Sequence, residues 1–397
     1  MPTILTQQAF LKATATSFFF FASLNCFFLL PLHIERLGGT EVAVGVVMGI
    51  YSAVGIVCQP PIGPWIDVLG RRPFMILGCV LVILSSLLAF VATAVPLLGV
   101  VRAMQGLGFS AFFVANYSYV IDLVPIERRG WALGIYGVSG MLSTALAPLF
   151  SEMVIRRFGF RPLFVACGLL ALVTCALVWT LRERERVDVP TAPNWVSIRA
   201  MREDVRHRHM ALAVFFGLGS GTIFAFLPTF GERIGVRTLA LFYTAYACAA
   251  VGVRVAAGHW IDTHGRRAVI VPSMFLQGVG AAMLAALAFL VSRVNGLPPL
   301  PVLFATGLIS GSAHGFLYPA LAALVADQAH ETRRGAVIAV FSAVFLIGNS
   351  GGAFLFGYVA HHFGYGPMWS ALTVLLFIGA LLSLGLPDHR ARLRTAT

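Results

Sequence analysis

The sequence predicts an all-α integral membrane protein whose twelve transmembrane helices form two pseudo-symmetric six-helix bundles. Three observations predict this fold class: an apolar composition, twelve long apolar runs and an internal repeat. Of the 397 residues, 58% are hydrophobic and only 11% are charged, whereas a soluble domain carries about 25% charged residues. So few charges could not cover a soluble surface, but a lipid bilayer accepts apolar side chains on the outside of a helix.

Each of the twelve runs comes close to the roughly 20 apolar residues that a helix needs to cross a bilayer. The strands of a β-barrel would be about half as long and would alternate in polarity. The run after Lys12 is too long for the core of a signal peptide, so we interpret it as the first span. The predicted spans are residues 13–32, 43–63, 73–94, 97–121, 131–151, 162–181, 210–230, 238–258, 268–291, 301–326, 336–360 and 366–387.

The longest polar stretch predicts the domain organisation. Residues 182–209 form a predicted cytoplasmic linker between an N-terminal bundle, residues 1–181, and a C-terminal bundle, residues 210–397. The linker opens with the charge run RERERVDVP. An amphipathic helix on the membrane surface is one interpretation of this run, and a solvated segment is the favoured one.

The basic residues predict the orientation of the chain in the membrane. The net charge of +12 would suggest a nucleic-acid partner in a soluble protein, but the arginines lie between apolar runs and form no stripe. With the N-terminus in the cytoplasm, nineteen Lys and Arg residues fall on the cytoplasmic side and seven on the opposite side. Because cytoplasmic loops are enriched in Lys and Arg, we expect both termini inside, in a cell (inner) membrane.

The two halves of the chain repeat one another. Residues 63–72 read GPWIDVLGRR and residues 258–267 read GHWIDTHGRR, with seven of ten positions identical. A second pair of segments follows the predicted fourth and tenth spans, where Asp122, Arg128 and Arg129 recur as Asp327, Arg333 and Arg334. Repeated six-helix halves with a binding site between them are typical of transporters.

These motifs resemble the major facilitator superfamily over nearly the whole chain. The pattern G-x-x-x-D-x-x-G-R-R matches the signature that this family carries between helices two and three, with Val68 where the family usually has Arg. A second signature fits the fourth span, from Arg102 through Gln105, Gly106 and Gly108. The resemblance implies a secondary transporter that works by alternating access, as bacterial efflux members do.

The repeated loop is a candidate cytoplasmic gate. We expect Gly63 and Gly70 to let a short loop turn between two helix ends. The resemblance implies that Asp67 leans on the start of the eleventh span and that Arg71 pairs with Asp122. Such contacts form in one conformation and break in the other, and a few kcal/mol is enough to bias two states.

The remaining gate candidates are Arg72 and the second-half residues Asp262, Arg266 and Asp327. For Arg72 and its counterpart Arg267, a purely topological role is the favoured alternative.

Ionisable residues inside membrane spans are costly and therefore mark candidate functional sites. Three lie within the predicted spans: Arg102, Arg254 and His314. Arg102 could bind an anionic substrate, couple to protons or hold helices together, whereas Arg254 is close enough to its helix end to snorkel. His314 could carry a coupled proton or be a packing residue. Uncharged candidates for the substrate or proton site are Asn25, Gln105, Asn116, Tyr117, Tyr318 and Asn349, and aromatic candidates are Phe224, Phe226, Tyr243 and Tyr246.

Two absences narrow the chemistry. No Asp or Glu lies in the middle of a predicted span, which weakens proton antiport and leaves Arg102, His314 or Glu152 as substitutes. The six cysteines lie inside apolar runs without CxxC spacing, so we interpret them as packing residues and expect neither metal nor cofactor.

The favoured function is efflux of a small amphipathic compound by a monomer, with coupling to protons left open. The alternative is uptake or exchange of a small organic anion recognised by Arg102. A membrane-embedded enzyme would need a nucleophile with a base or a metal cluster, and the histidine groupings lack such partners at ligand spacing. A further alternative is a receptor or assembly factor built on a transporter scaffold, which would show no flux in liposomes.

Overall fold

A computed structural model describes residues 4–124, 129–183, 207–257, 264–291, 293, 298–326 and 334–386. These residues are helical apart from short connections. Their α-helices are α1 (Ile4–Asn25), α2 (Leu30–Arg36), α3 (Glu41–Leu69), α4 (Arg71–Val91), α5 (Val95–Leu123), α6 (Arg129–Phe158), α7 (Phe160–Thr180), α8 (His207–Arg233), α9 (Ala240–Ala257), α10 (Arg266–Leu290), α11 (Pro299–Ala326), α12 (Arg334–Phe363) and α13 (Tyr365–Ser383).

Eleven helical segments in the described part of the chain are long and apolar enough to cross a membrane. The first, Gln8–Arg36, combines α1, a 3₁₀ turn over Cys26–Leu29 and α2. Pro31 stands at the start of α2, where its missing N–H leaves no helical hydrogen bond unmade. A shorter apolar helix, Ala240–Ala256, lies at the eighth predicted span.

The expected role of Gly63 is wrong. Gly63 does not lie in a loop, because α3 continues to Leu69 and includes Gly63 together with Pro60, Pro61 and Pro64. The connection to α4 is Gly70 alone, whose N–H donates to the Ile66 carbonyl at 3.0 Å. Gly70 has φ of 105°, a conformation that favours glycine, so this residue makes the turn.

The described residues divide into two compact units. The first comprises Met1–Gly38 and Ile50–Val196, as far as these residues are described. In it α1 packs against α6 and α7, and α4 packs against α5 and α7. Its apolar core includes Phe20 and Phe112, whose rings stack with centroids 3.7 Å apart.

The second unit comprises Gly39–Gly49 and Ser197–Thr397, again as far as described. In it α8 packs against α12 and α13, and α10 packs against α11 and α13. The six helices α8 to α13 correspond in chain order to α1, α3, α4, α5, α6 and α7 of the first half. With this correspondence, the four pairings named for the second unit are the same as the four named for the first. The repeat in the sequence is therefore also a repeat of local packing.

Backbone geometry repeats with the packing. The described glycines with positive φ form three pairs at similar positions in the two halves: Gly38 with Gly235, Gly70 with Gly265, and Gly159 with Gly364. Each pair marks the same connection, between the first and second, second and third, or fifth and sixth helices of a half. Because the left-handed region costs other residues free energy, these pairs set the tight turns of each half.

Candidate functional site

Arg102 is buried in the middle of the first unit, with a side chain only 7% exposed. Its Nη1 donates to Gln105 Oε1 at 3.0 Å, one turn further along α5. Its guanidinium carbon lies 4.3 Å from the ring centroid of Tyr51 on α3, a cation–π contact. Gly106 makes this contact possible, because a Cβ there would lie 2.4 Å from the Tyr51 carbonyl oxygen.

The buried charge of Arg102 is not neutralised within the part of the chain that the structure describes. No described carboxylate lies within ion-pair distance of it, and its Nε and Gln105 Nε2 have no hydrogen-bond acceptor among the described residues. A buried cation is costly unless an electron-rich group partners it. The aromatic face and the amide oxygen supply part of this stabilisation and leave donors available to a ligand.

Three other candidates in the first unit connect its helices. Asn25 donates to Ser143 Oγ at 2.8 Å and to Thr144 Oγ1 at 3.1 Å. Asn116 donates to the Ala13 carbonyl and the Tyr136 hydroxyl, each at 3.3 Å, while its Oδ1 has no partner among the described residues. These amides join α1, α5 and α6 in the lipid-spanning part of the unit. The ring of Tyr117 packs beside those of Phe113 and Tyr136.

In the second unit His314 lies on α11 within an aromatic group. Its ring centroid is 5.1 Å from that of Phe216, 5.5 Å from Tyr246 and 6.3 Å from Tyr318. The Tyr318 hydroxyl lies 3.4 Å from Ser342 Oγ, so this candidate also bridges two helices.

Asn349 lies at a close approach of α8 and α12. A Cβ on Gly221 would lie 2.0 Å from the Asn349 carbonyl oxygen. The aromatic candidates are placed together, since the Phe224 ring lies 5.6 Å from Tyr243 and 5.2 Å from Tyr246. Phe226 is fully buried.

The candidate gate has one clear ion pair in the first unit. Arg71 Nε lies 3.1 Å from Asp122 Oδ2, which is the pair that the family resemblance implies. Arg71 Nη1 also donates to the Ile66 carbonyl at 3.2 Å. The ion pair connects the start of α4 to the last turn of α5. The bond to Ile66 spans the one-residue turn at Gly70, between α3 and α4.

Glu183 is a residue of this region that sequence reasoning missed. Its carboxylate accepts hydrogen bonds from the backbone N–H groups of Arg71 at 2.8 Å and Arg72 at 2.9 Å, and so caps the N-terminus of α4. Arg72 Nη2 donates to the Trp179 carbonyl at 2.7 Å. The charge run therefore begins with an exposed residue, Glu183, whose carboxylate is bonded to the start of α4.

The second half shows part of the same arrangement. Arg267 Nη2 donates to the Leu384 carbonyl at 2.9 Å, as Arg72 does to Trp179. Arg266 is the first residue of α10. Asp262 and Asp327 lie outside the described residues, and so does the side chain of Asp67.

The described residues contain no group of three or more His, Cys, Asp or Glu side chains placed to hold a metal ion, and their six cysteines are free thiols.

Tyr51, which contacts Arg102, is a second residue that the sequence did not predict. The only signal in the sequence was the small residue Gly106 in a transmembrane run, which predicts a close helix contact without naming the partner.

The chain matches the model of the Major Facilitator Superfamily over residues 13–294 and 211–396. It is 25% identical over 398 residues to multidrug resistance protein MdtG of Dickeya zeae, covering 92% of this chain and 93% of that protein. It is 21% identical over 386 residues to the staphylopine export protein of Staphylococcus aureus, covering 94% and 95%.

Among solved structures, a bacterial homologue of the human lysosomal transporter Spinster superposes with a TM-score of 0.78 at 15% identity. The superposition covers 96% of this chain and 97% of that one, which shows a shared fold. With the family match across both halves, these findings place the multi-pass helical chain in its family: it belongs to the major facilitator superfamily of transporters.

Proposed function

We propose that this protein exports a small amphipathic compound across the cell inner membrane by alternating access. The proposed architecture has twelve spans in two six-helix bundles, residues 1–181 and 210–397, joined by the linker 182–209. In this arrangement both termini lie in the cytoplasm, as the distribution of arginines predicts. The protein works as a monomer, and Arg102 is the polar anchor for its substrate.

The observation that carries the proposal is the buried Arg102, which stacks on Tyr51 and has no carboxylate partner among the described residues. A buried guanidinium with unpaired donors offers charge and hydrogen bonds to the polar part of an amphipathic ligand. The named relatives support export as the direction, because the multidrug resistance and staphylopine export proteins match more than nine tenths of the chain.

Uptake or exchange of a small organic anion is the second candidate function. The same residue favours it, since Arg102 lacks a described carboxylate partner and an anionic substrate would supply one. The two functions differ in the charge of the ligand and in the direction of net transport.

Flux in proteoliposomes tests the proposal and separates the two functions. Purified protein is reconstituted, and transport of the uncharged amphipathic dyes Nile red and N-phenyl-1-naphthylamine and of radiolabelled benzoate is followed with and without an imposed pH gradient. Export predicts movement of the amphipathic dyes that is lost in Arg102→Ala and retained in Arg161→Ala, an exposed arginine on α7. Arg102-dependent movement of benzoate but not of the dyes would establish the anion alternative, and no movement of any probe would contradict both.

Proton coupling is tested in the same vesicles. If dye export is driven by protons, an imposed gradient accelerates it and a protonophore abolishes the acceleration. A rate that is equal with and without the gradient would leave facilitated diffusion as the mechanism.

A further inference from the structure

A small, mostly apolar cleft with a few polar side chains lies inside the second unit, lined by residues of α8, α9, α10 and α11. Three polar atoms in its wall are buried and have no hydrogen-bond partner among the described residues: Gln277 Oε1, Ser310 Oγ and His314 Nδ1. Gln277 and Ser310 are each only 4% exposed. Because buried polar groups are almost always paired, three such residues around one space indicate that a hydrogen-bonding molecule, either water or a ligand group, occupies it.

The orientation of Gln277 is set by its other contact. Its Nε2 donates to the Phe216 carbonyl at 3.0 Å, so the amide oxygen must face the cleft as an acceptor. The reverse orientation would place two acceptor oxygens against each other. Gly219 allows this placement, since a Cβ there would lie 2.3 Å from Gln277 Nε2.

Ser310 is accommodated in a similar way. A Cβ on Gly280 would lie 2.5 Å from Ser310 Oγ, so a glycine at this position leaves room for the hydroxyl. The hydroxyl can both donate and accept, and His314 Nδ1 can do either according to its tautomer. The cleft therefore presents one obligate acceptor and two groups that can donate.

The charge around the cleft disfavours a charged ligand. None of its lining residues carries a carboxylate, so an ammonium would be buried without a counter-charge. Arg254 Nε donates to the carbonyl of Gly315, the neighbour of His314, at 3.3 Å and adds a positive charge nearby. A carboxylate in turn could not donate to Gln277 Oε1 and would meet its lone pairs.

We infer that this cleft binds one uncharged hydroxyl group of the transported solute, which donates to Gln277 Oε1 and accepts from Ser310 or His314. The enclosed space is about the size of one water molecule, which fits a hydroxyl and not a larger polar group. The apolar part of the solute lies against the rings of Phe224 and Tyr246 at the cleft. The inference rests on the proposed transport function and names a substrate class for it, namely neutral alcohols and phenols.

Four probes with one benzene ring test the inference: benzyl alcohol, toluene, benzylammonium and benzoate. Their binding to the full-length protein in detergent is measured by thermal shift and by saturation-transfer NMR. Benzyl alcohol is expected to bind the parent, and Ser310→Ala is expected to weaken it by about three- to tenfold, the effect of losing one hydrogen bond. Gln277→Leu is expected to weaken it similarly, whereas Ser370→Ala, a serine on α13 bonded to its own helix, is expected to leave it unchanged.

Toluene reports packing alone and is expected to respond equally to all variants. If benzyl alcohol shows no more dependence on Ser310 and Gln277 than toluene does, the cleft holds only water and the inference is wrong. A larger dependence for benzylammonium or benzoate would also overturn it. Dye flux in liposomes is scored separately, so a protein that binds benzyl alcohol as expected but moves no dye refutes the export proposal alone.

Discussion

Gly351 and Gly352 are neighbours in α12, and alanine at these two positions is expected to have opposite effects on stability. A Cβ on Gly352 would lie 2.6 Å from the Leu218 carbonyl oxygen and 2.8 Å from Thr222 Oγ1. Neither atom can move away easily, because the Thr222 hydroxyl already donates to that carbonyl at 2.7 Å. A Cβ on Gly351 would meet no heavy atom within 4 Å.

The magnitudes follow from these contacts. Gly352→Ala forces α8 and α12 apart and is expected to cost about 1–3 kcal/mol, the usual range for overpacking. Gly351→Ala changes only the backbone preference and is expected to stabilise the helix by up to about 1 kcal/mol. For a unit of this size the first change corresponds to a melting temperature lower by roughly 2–10 °C.

The assay is thermal unfolding of the purified protein in one detergent, followed by the reaction of buried cysteines with a maleimide dye. Circular dichroism of both variants at 20 °C controls for helix content. The reasoning about close helix packing would be refuted if Gly352→Ala melted at or above the temperature of Gly351→Ala.

Three further predictions concern the gate loop and His314. Glu183→Ala should lower the free energy of unfolding by about 1 kcal/mol, the usual cost of a lost helix cap. Arg182→Ala should leave it unchanged, because Arg182 takes part through its backbone carbonyl, which accepts a bond from Tyr119. Equal melting curves for the two variants would contradict this prediction. A double-mutant cycle on Arg71 and Asp122 should give a coupling of about 0.5–1 kcal/mol that decreases with salt, because the pair is partly exposed; zero coupling at low salt would remove the pair from the gate. His314→Ala should change the pH dependence of flux, and a pH profile identical to the parent's would exclude a proton-carrying role for this residue.

The membrane as solvent explains why much of the fold could be predicted from sequence. Backbone polar groups cannot remain unpaired in lipid, so long apolar runs must become helices, and their positions were predictable within a few residues. The repeat was also visible, because each half needs a glycine for the same positive-φ turn, at Gly70 in the first half and at Gly265 in the second.

Helix ends and contacts distant in the chain were less predictable. The end of α3 was misplaced at Gly63, since hydropathy reports where lipid begins and not where a helix stops. The sequence indicated Arg102 as a candidate through its position in a span and its motif. It did not indicate the cation–π contact of Arg102 with Tyr51. In the sequence, Glu183 could not be distinguished from the other charged residues of the polar linker, so its role as a helix cap was not predicted.

The composition of the chain and the spacing of its apolar runs and motifs determined that it lies in a lipid bilayer, where its helices fall and which family it belongs to. Each of these depends on short stretches of sequence. Only the packing of helices decided what each buried polar group contacts. Glu183 reaches the N–H of Arg71 from 112 residues away in the chain, and Gln277 takes its orientation from a carbonyl on another helix. Such pairings depend on which helix faces pack together. The sequence pattern of one helix does not identify the helix against which it packs.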